Sequence, residues 1–173
     1  MNGAEPLAAL PMYDFDFVAE ANNALWAAIA GRLEEAGVRS PKRLTRGGDL
    51  AAQWRDPGLV FGQTCGYPYV RGLRGAVALV ATPEYAFLGC EGAAHRSFLV
   101  RRASDARRDL AEFRGARAAI NGWDSNTGMN LFRATIASVA RRAPFFGAVV
   151  TTGSHEASLA AVAEGRADLA SID

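Results

Sequence analysis

The sequence predicts an α/β protein with mainly parallel sheets. Short apolar runs alternate along the chain with segments in which apolar residues recur at helical spacing. Glycine, proline or a capping residue stands at the ends of most of these segments. Half of the residues are hydrophobic and 21% are charged, which is typical of a globular protein with a core. Strands that alternate with helices favour a parallel sheet.

The first half of the chain is predicted to contain two helices among four strands. Apolar residues recur at helical spacing from Val18 to Leu33, and Gly37 fits the end of this helix. Asp49 opens a short helix that ends before Pro57. Residues 64–69 read as a turn-rich loop. Four apolar runs are predicted as strands: residues 8–13, 41–46, 59–63 and 77–81, the last of them buried.

The second half is predicted to contain three helices and four strands. Ser104 caps the first helix, which runs through Phe113 and ends at Gly115. A long helix follows residue 128 and runs to about Arg142, and the third helix covers residues 156–164. The predicted strands are residues 97–101, 116–120, 148–152 and 167–172.

Polar or aromatic segments follow the predicted strands, where parallel sheets bind their ligands. These segments are Tyr13, residues 63–69, Tyr85, residues 124–128 and residues 153–155. We expect them to converge on one site because the carboxyl ends of parallel strands meet at one sheet edge.

The segment from Asp124 to Gly128 has the composition of an oxyanion cradle. Ser125 and Thr127 add hydroxyl donors and Asn126 an amide to the N–H groups of a helix N-terminus. Gly128 lets the backbone approach a ligand closely. Simple capping remains the alternative, because these are the residues that any helix N-terminus prefers.

A second turn, residues 152–156, repeats this arrangement after the next strand. Ser154 is suited to cap the helix and His155 to donate a hydrogen bond to an oxyanion. The alternative is a capping serine beside an exposed histidine. Both turns are expected at the same edge of one sheet, which favours the site over the alternative.

The segment Gln63–Tyr69 combines side-chain donors, Gln63 and Thr64, with aromatic faces. Tyr67 is suited to wall a pocket and to hydrogen-bond through its hydroxyl, as is Tyr13. A structural turn is the alternative, and it is favoured for Tyr69.

The two cysteines, Cys65 and Cys90, fall in loops after strands that are candidates for neighbours. A disulfide between these loops is predicted, with two thiols or a Cys90–His95 nucleophile pair as alternatives. The two histidines are distant in sequence and no CxxC pair occurs, so neither a metal nor a cofactor is expected.

Several classes of function are disfavoured by the sequence. The net charge is +1 without a basic stripe, which argues against nucleic-acid binding. No GxGxxG follows a strand, and Gly153-Ser154-His155 is not a GxSxG elbow. The apolar runs are shorter than a membrane span, and the N-terminus lacks a secretory pattern.

The order of motifs resembles one known family. These motifs include WRDP, QTCGYPY, LVATPEY, GCEG, HRSFLVRR, DSNTGMNLFR, FFGAVVTTGSH and ADLASID, and the resemblance runs from about Leu10 to the last residue. The chain resembles the phosphate and phosphonate substrate-binding proteins of ABC transporters, the phosphonate-binding-protein-like family.

The resemblance implies the type II periplasmic-binding-protein fold, with lobes at residues 1–92 and 93–173 and a hinge near residues 91–97. It implies a solute-binding protein without catalysis, which captures a small oxyanion between the lobes for an ABC permease in the periplasm. The implied ligand-binding residues include Tyr13, Tyr67, Tyr85, the turn Ser125–Gly128 and His155. It further implies that an acidic residue near the second crossover between the lobes binds a ligand amine, and Asp173 is the candidate for this role.

Two departures from the family leave alternatives open. Relatives return after the last strand to complete the first lobe, so an incomplete first lobe with an exposed edge is expected, which a homodimer would cover. The absence of a signal peptide puts export in doubt and favours a cytoplasmic sensor domain of the same fold. An enzyme of cofactor-precursor metabolism is the third alternative, with His155 and Asp173 as its candidate residues.

Overall fold

The protein is a mixed α/β structure with small sheets, here a computed structural model that describes residues 4–141 and 144–173. The chain divides into two compact units. Unit 1 is Met1–Leu79 and unit 2 is Val80–Asp173. The predicted lobe boundary after residue 92 concerns a hinge and stays a prediction.

Unit 1 has a two-stranded parallel sheet of β1 (Leu7–Ala9) and β2 (Leu59–Gly62). A short 3-10 turn leads into the long helix α1. The helices are α1 (Ala19–Glu35), α2 (Leu50–Gln53) and α3 (Gly66–Pro68), the last continuing into a π-helical turn, Tyr69–Leu73.

The core of unit 1 forms around Trp26 of α1, which is almost fully buried. Its indole N–H donates to the carbonyl of Pro41 at 3.0 Å, and its ring stacks on Phe61 of β2. This contact joins the helix to the sheet and satisfies the one polar atom of the indole. Gly37, with φ at 77°, ends the helix as predicted.

Three local predictions for the first half of the chain were wrong. Residues 41–46 form no strand: the amide of Thr45 donates to Ala8, but no ladder of such bonds develops. Residues 77–81 form no buried strand either, because no strand pairs with them and the side chains of Leu79 and Val80 are exposed. Residues 64–69, predicted as a loop, are largely helical.

Unit 2 begins with a hairpin of β3 (Cys90–Glu91) and β4 (Ala94–His95), which the sequence did not predict. Four further strands follow: β5 (Phe98–Val100), β6 (Arg117–Ile120), β7 (Ala148–Thr151) and β8 (Leu169–Ile172). They form one sheet in the order β5-β8-β6-β7, in which β6 runs parallel to both β7 and β8, and β5 is an antiparallel edge.

Two helices connect the parallel strands of unit 2. Helix α4 (Phe132–Val139) continues a π-helical turn, Asn126–Leu131, and α5 (His155–Ala163) joins β7 to β8. The long helix predicted from residue 128 is present, and the predicted end at Arg142 lies outside the described residues.

The sheet of unit 2 is covered on both faces, because successive strand residues point to opposite sides. Ala118 and Ile120 of β6 belong to one cluster, with Phe132 of α4. Ala119, between them, belongs to a second cluster with Ala161 of α5. Small residues dominate this second face, so the helix packs close to the strands.

The helix predicted for residues 104–113 is mostly absent. Only the 3-10 turn Leu110–Phe113 forms, with a capping box between Asp109 and Glu112. Upstream, the carboxylate of Asp105 accepts hydrogen bonds from both the backbone and the guanidinium of Arg107. These local bonds favour a turn over a helix.

The predicted disulfide does not form: Cys65 and Cys90 are both reduced. The sulfur of Cys65 lies 3.2 Å from the thioether of Met12 within unit 1. Cys90 is paired through its backbone with His95 in the β3–β4 hairpin. Among the described residues, no helix is both long and apolar enough to cross a membrane.

Candidate functional site

The three parallel strands of unit 2 deliver polar residues to one edge of the sheet. Asn121 follows β6, the turn Gly153–His155 follows β7, and Asp173 follows β8. The backbone locks two of these segments together, because the amide of Gly153 donates to the carbonyl of Asn121 at 3.0 Å. This edge is where ligands bind in open α/β sheets.

Ser125 organises the turn that enters the π-helical segment. Its hydroxyl oxygen accepts a hydrogen bond from the amide of Gly128 at 3.1 Å, and its carbonyl accepts one from the amide of Asn130. A hydroxyl that accepts still has its own O–H to donate. Ser125 and Thr127 are both buried, so a ligand there would meet hydroxyl groups removed from bulk water.

Gly128 is in close contact with two other residues of the edge. A Cβ atom at this position would overlap the amide oxygen of Asn121 and lie 3.0 Å from Cε1 of His155. Its backbone is not in the left-handed region, so space rather than conformation requires glycine here. The predicted close approach of the backbone at Gly128 is therefore to protein side chains.

His155 contacts three other residues of the polar cluster at this edge. Its Nε2 atom lies 2.8 Å from Oδ1 of Asp173, and 3.4 Å from both the hydroxyl of Thr127 and the side-chain amide of Asn121. The contact with Asp173 is the shortest, so we take Nε2 to carry the proton and to face the carboxylate. The imidazole is thereby held between the two turns.

The other histidine of the chain approaches the same carboxylate. Nε2 of His95 lies 3.6 Å from Oδ2 of Asp173. Phe98 pairs with Ile172 in the antiparallel β5–β8 ladder, so continuing this register brings Asp173 next to the end of the β3–β4 hairpin. The Asp173 side chain is 5% exposed, against 39% for His95 and 16% for His155.

Two buried polar atoms at this edge have no hydrogen-bond partner among the described residues. They are Nδ1 of His155 and the amide oxygen of Asn121. Leaving a buried polar group unsatisfied costs about 1–3 kcal/mol. Such unpaired groups in a native structure call for an explanation, and a bound ligand is one explanation that would satisfy them.

The structure thus brings together five predicted site residues: Ser125, Thr127, Gly128, His155 and Asp173. Asn126 belongs to the same turn, and its side-chain oxygen accepts a hydrogen bond from the side-chain amide of Asn130 at 3.4 Å. The aromatic candidate of unit 2, Tyr85, stacks on Phe87 with ring centroids 6.4 Å apart.

In unit 1, the loops that follow β1 and β2 also meet. The amide of Met12 donates to the side-chain oxygen of Gln63 at 3.2 Å, and the carbonyl of Tyr13 accepts from Asn22. The hydroxyl of Thr64 donates to the neighbouring carbonyl of Cys65, and Tyr67 is half-buried in α3. These contacts order the loops that hold the candidates of unit 1.

Sequence reasoning missed four residues that build the edge. Asn121 and His95 contact the cluster directly, as described above. Thr152 donates to the carbonyl of Ile120, and the hydroxyl of Ser171 donates to the carbonyl of Thr127 at 3.1 Å, so both attach the turns to the sheet. Asn121 could have been predicted from the sequence, because it directly follows a predicted strand. The position of His95 could not, because it depends on a hairpin that the sequence did not predict.

An apolar cavity elsewhere in unit 2 does not share this polar chemistry. This cavity of about 240 Å³ is lined by residues such as Trp123, Met129 and Phe132, and Arg133 is the one charged lining residue in the part of the chain that the structure describes. Its apolar walls are unsuited to an oxyanion. Among the described residues, no group of histidine, cysteine and acidic side chains is arranged to hold a metal ion.

A parallel sheet whose carboxyl edge carries two polar turns defines a ligand-binding α/β domain. A family described as "ABC transporter, phosphonate, periplasmic substrate-binding protein" matches residues 56–173, which is more than half of the chain. The chain belongs to this family, as the resemblance of its motifs implied. A search of curated proteins finds no match.

Proposed function

We propose that this protein captures a small tetrahedral oxyanion of the phosphonate, phosphate or phosphite type and delivers it to an ABC permease. Family membership implies a substrate-binding component of an ABC transporter. The observation that carries the choice of ligand is the convergence of the Ser125–Gly128 turn with His155 at one sheet edge.

The chemistry of this edge suits an anion. Buried hydroxyls and backbone N–H groups at a helix start are donors to oxygen, and the imidazole of His155 donates from Nδ1 when that nitrogen also carries a proton. Hydrogen bonds to a charged oxygen are about twice as strong as neutral ones, and a phosphonate offers three such oxygens. We assign ligand contacts to Ser125, Asn126, Thr127, Gly128 and His155.

The proposal includes the remaining candidates as ligand groups implied by the family resemblance. These are Tyr13, Gln63, Thr64, Tyr67, Tyr85 and Asp173. It also includes a two-lobed protein that closes about a hinge, and export to the periplasm.

Capture without catalysis is favoured by the geometry of His155. In a nucleophile–histidine–carboxylate relay the imidazole uses both nitrogens, one toward the hydroxyl and the other toward the carboxylate. Here a single atom, Nε2, faces both Thr127 and Asp173, while Nδ1 has no described partner. This arrangement orients an imidazole but does not pass a proton between two groups.

A sensor domain of the same fold is the second candidate. The reduced state of Cys65 and Cys90 favours it, because disulfides are common in exported proteins and rare in the cytoplasm. Fractionation of the native host separates the two candidates: recovery with periplasmic proteins supports transport, and recovery with cytoplasmic proteins supports sensing.

The test of oxyanion capture is calorimetric titration of the chain with phosphate, phosphite, sulfate and methylphosphonate. We expect at least one phosphorus oxyanion to bind and to raise the melting temperature by mass action. Ser125→Ala should weaken that binding by about 10- to 100-fold, since it removes a hydrogen bond to a charged group.

The matched control is Ser138→Ala, on the exposed face of α4, where the hydroxyl donates to the carbonyl of Thr135. This variant should bind as the wild type does. Binding of no phosphorus oxyanion by a chain that unfolds cooperatively, or equal affinity of the two serine variants, would contradict the proposal.

A further inference from the structure

The apolar cavity of unit 2 has a buried floor that a strand and a helix build together. Ala118 and Ile120 of β6 and Phe132 and Ile136 of α4 line it, and all four residues are buried. The cavity volume of about 240 Å³ equals that of about eight water molecules in the liquid. Cavities with apolar walls stay dry and accept apolar molecules, so this floor is suited to a hydrocarbon group.

The cavity opens to solvent at a rim of exposed lining residues. Trp123 is 64% exposed and Val149 is 44% exposed, and Arg133 in the first turn of α4 is exposed as well. Large apolar side chains at the mouth of a cavity extend its binding surface, because contact with a ligand removes them from water. The rim therefore combines two apolar side chains with one positive charge.

The positive charge at the rim is not neutralised by any described residue. Within residues 4–141 and 144–173, no carboxylate forms an ion pair with Arg133, whereas three other arginines of unit 2 converge on Asp168. A guanidinium presents two parallel N–H groups that fit the two oxygens of a carboxylate. Arg133 is thus suited to a ligand that carries one negative charge at the end of an apolar body.

We propose that this cavity binds a medium-chain carboxylate, with the alkyl tail between β6 and α4 and the carboxylate group on Arg133 at the rim. The apolar walls contact only the tail, and the charged group stays in water, so no charge is buried. The volume suits an apolar body of about eight water-sized groups, which is the size of an octanoate tail. This is a second site, separate from the Ser125–Gly128 turn, and it does not depend on the proposed oxyanion capture.

The test is titration of the full chain with sodium octanoate, followed by calorimetry and by tryptophan fluorescence. Trp123 is the single tryptophan of unit 2, and Trp26 and Trp54 are buried in unit 1, so a ligand at the rim should change the emission of Trp123. Each buried CH₂ group improves affinity about fourfold, so octanoate should bind more tightly than hexanoate by about tenfold or more. Octylammonium, which carries the opposite charge, should bind more weakly than octanoate by about tenfold or more.

Arg133→Gln should weaken the binding of octanoate by about tenfold or more and leave the binding of 1-octanol unchanged. Only the charged end of the ligand contacts the arginine, so a merely structural role of Arg133 would not separate these two ligands. The matched control is Arg96→Gln, which removes an exposed arginine of unit 2 that does not line the cavity. This variant should bind octanoate as the wild type does.

Three results would overturn this inference. The first is no octanoate binding by a chain that unfolds cooperatively, and the second is equal octanoate affinity in the wild type and Arg133→Gln. The third is equal binding of octylammonium and octanoate, since the charge of Arg133 would then not select the ligand. Displacement of octanoate by phosphate would place it at the Ser125–Gly128 turn and would also overturn the separate site. The oxyanion proposal is tested with phosphorus oxyanions, so it stands or falls independently of octanoate.

Discussion

Gly128 shows how a single residue connects the two turns of the site. Its Cα faces the amide of Asn121 and the ring of His155, and a Cβ would intrude on both. The side chains of Asn121 and His155 are therefore packed against the backbone of Gly128. Any larger residue would have to push apart the segments that follow β6 and β7.

Gly128→Ala is expected to lower the free energy of unfolding by about 1–3 kcal/mol, which is the usual cost of overpacking. Binding of the oxyanion should weaken at least tenfold, because Asn121 and His155 are displaced together. Urea denaturation measures the first effect and calorimetry the second.

Gly31→Ala is the matched control for this prediction. Gly31 is exposed in α1, and nothing lies within 4 Å of a Cβ built there. Alanine at that position should be neutral or stabilise by about 1 kcal/mol, because glycine is a poor helix former. Wild-type stability and affinity in Gly128→Ala would show that the turn has room to relax.

Asp168 joins two elements of unit 2 at the opposite, amino-terminal end of the sheet. It directly precedes β8, and it accepts hydrogen bonds from the backbone and guanidinium of Arg117 in β6 and from Arg102. Burial raises the pKa of Asp168, but the hydrogen bonds from Arg117 and Arg102 outweigh it and bring the pKa to about 2.

The depressed pKa of Asp168 predicts acid sensitivity. Because the folded pKa lies below the unfolded value of about 3.9, the carboxylate stabilises the protein at neutral pH, and this contribution is lost as pH falls from about 5 toward 2. Its size is on the order of 2 kcal/mol. Urea denaturation at pH 7, 5, 4 and 3 should show stability falling over this range, less steeply in Asp168→Asn.

Glu164→Gln is the control for the pH series. Glu164 pairs with Arg166 in the same unit, but both side chains are more than half exposed, so the pair contributes little. This variant should follow the wild-type pH profile. Parallel profiles for wild type and Asp168→Asn would mean that Asp168 does not account for the acid sensitivity.

The predicted elements that formed are those whose signals are local in the sequence, and the predicted strand at residues 77–81, which needs a distant partner, did not form. β2, β6, β7, α1 and α5 were confirmed, because helical spacing, apolar runs and caps act within a few residues. The run at residues 77–81 has the same apolar character as a buried strand, yet it forms none. A strand needs a partner, and its own sequence does not specify one.

At the scale of the whole molecule, the two thiols are reduced although the sequence predicted a bond between them. A disulfide closing the loop from Cys65 to Cys90 would stabilise the protein by about 3 kcal/mol. The chain is held instead by the core of each unit, around Trp26 in unit 1 and around Phe132 in unit 2.

The reduced state predicts that iodoacetamide labels two cysteines per chain after denaturation without a reductant, as read by intact mass. The melting temperature should not respond to added reductant, and a Cys65→Ser, Cys90→Ser double variant should behave in the same way. A chain that is labelled only after reduction would contradict this prediction.

The sequence by itself determined the α/β class, the family, most strands of unit 2 and the two turns at the sheet edge. All of these depend on local spacing and on the order of motifs along the chain. The tertiary structure alone decided that His95 lies near Asp173 and that Asn121 contacts Gly128. These contacts depend on strand order and on the antiparallel register of β5 with β8, which bring together residues from distant parts of the sequence.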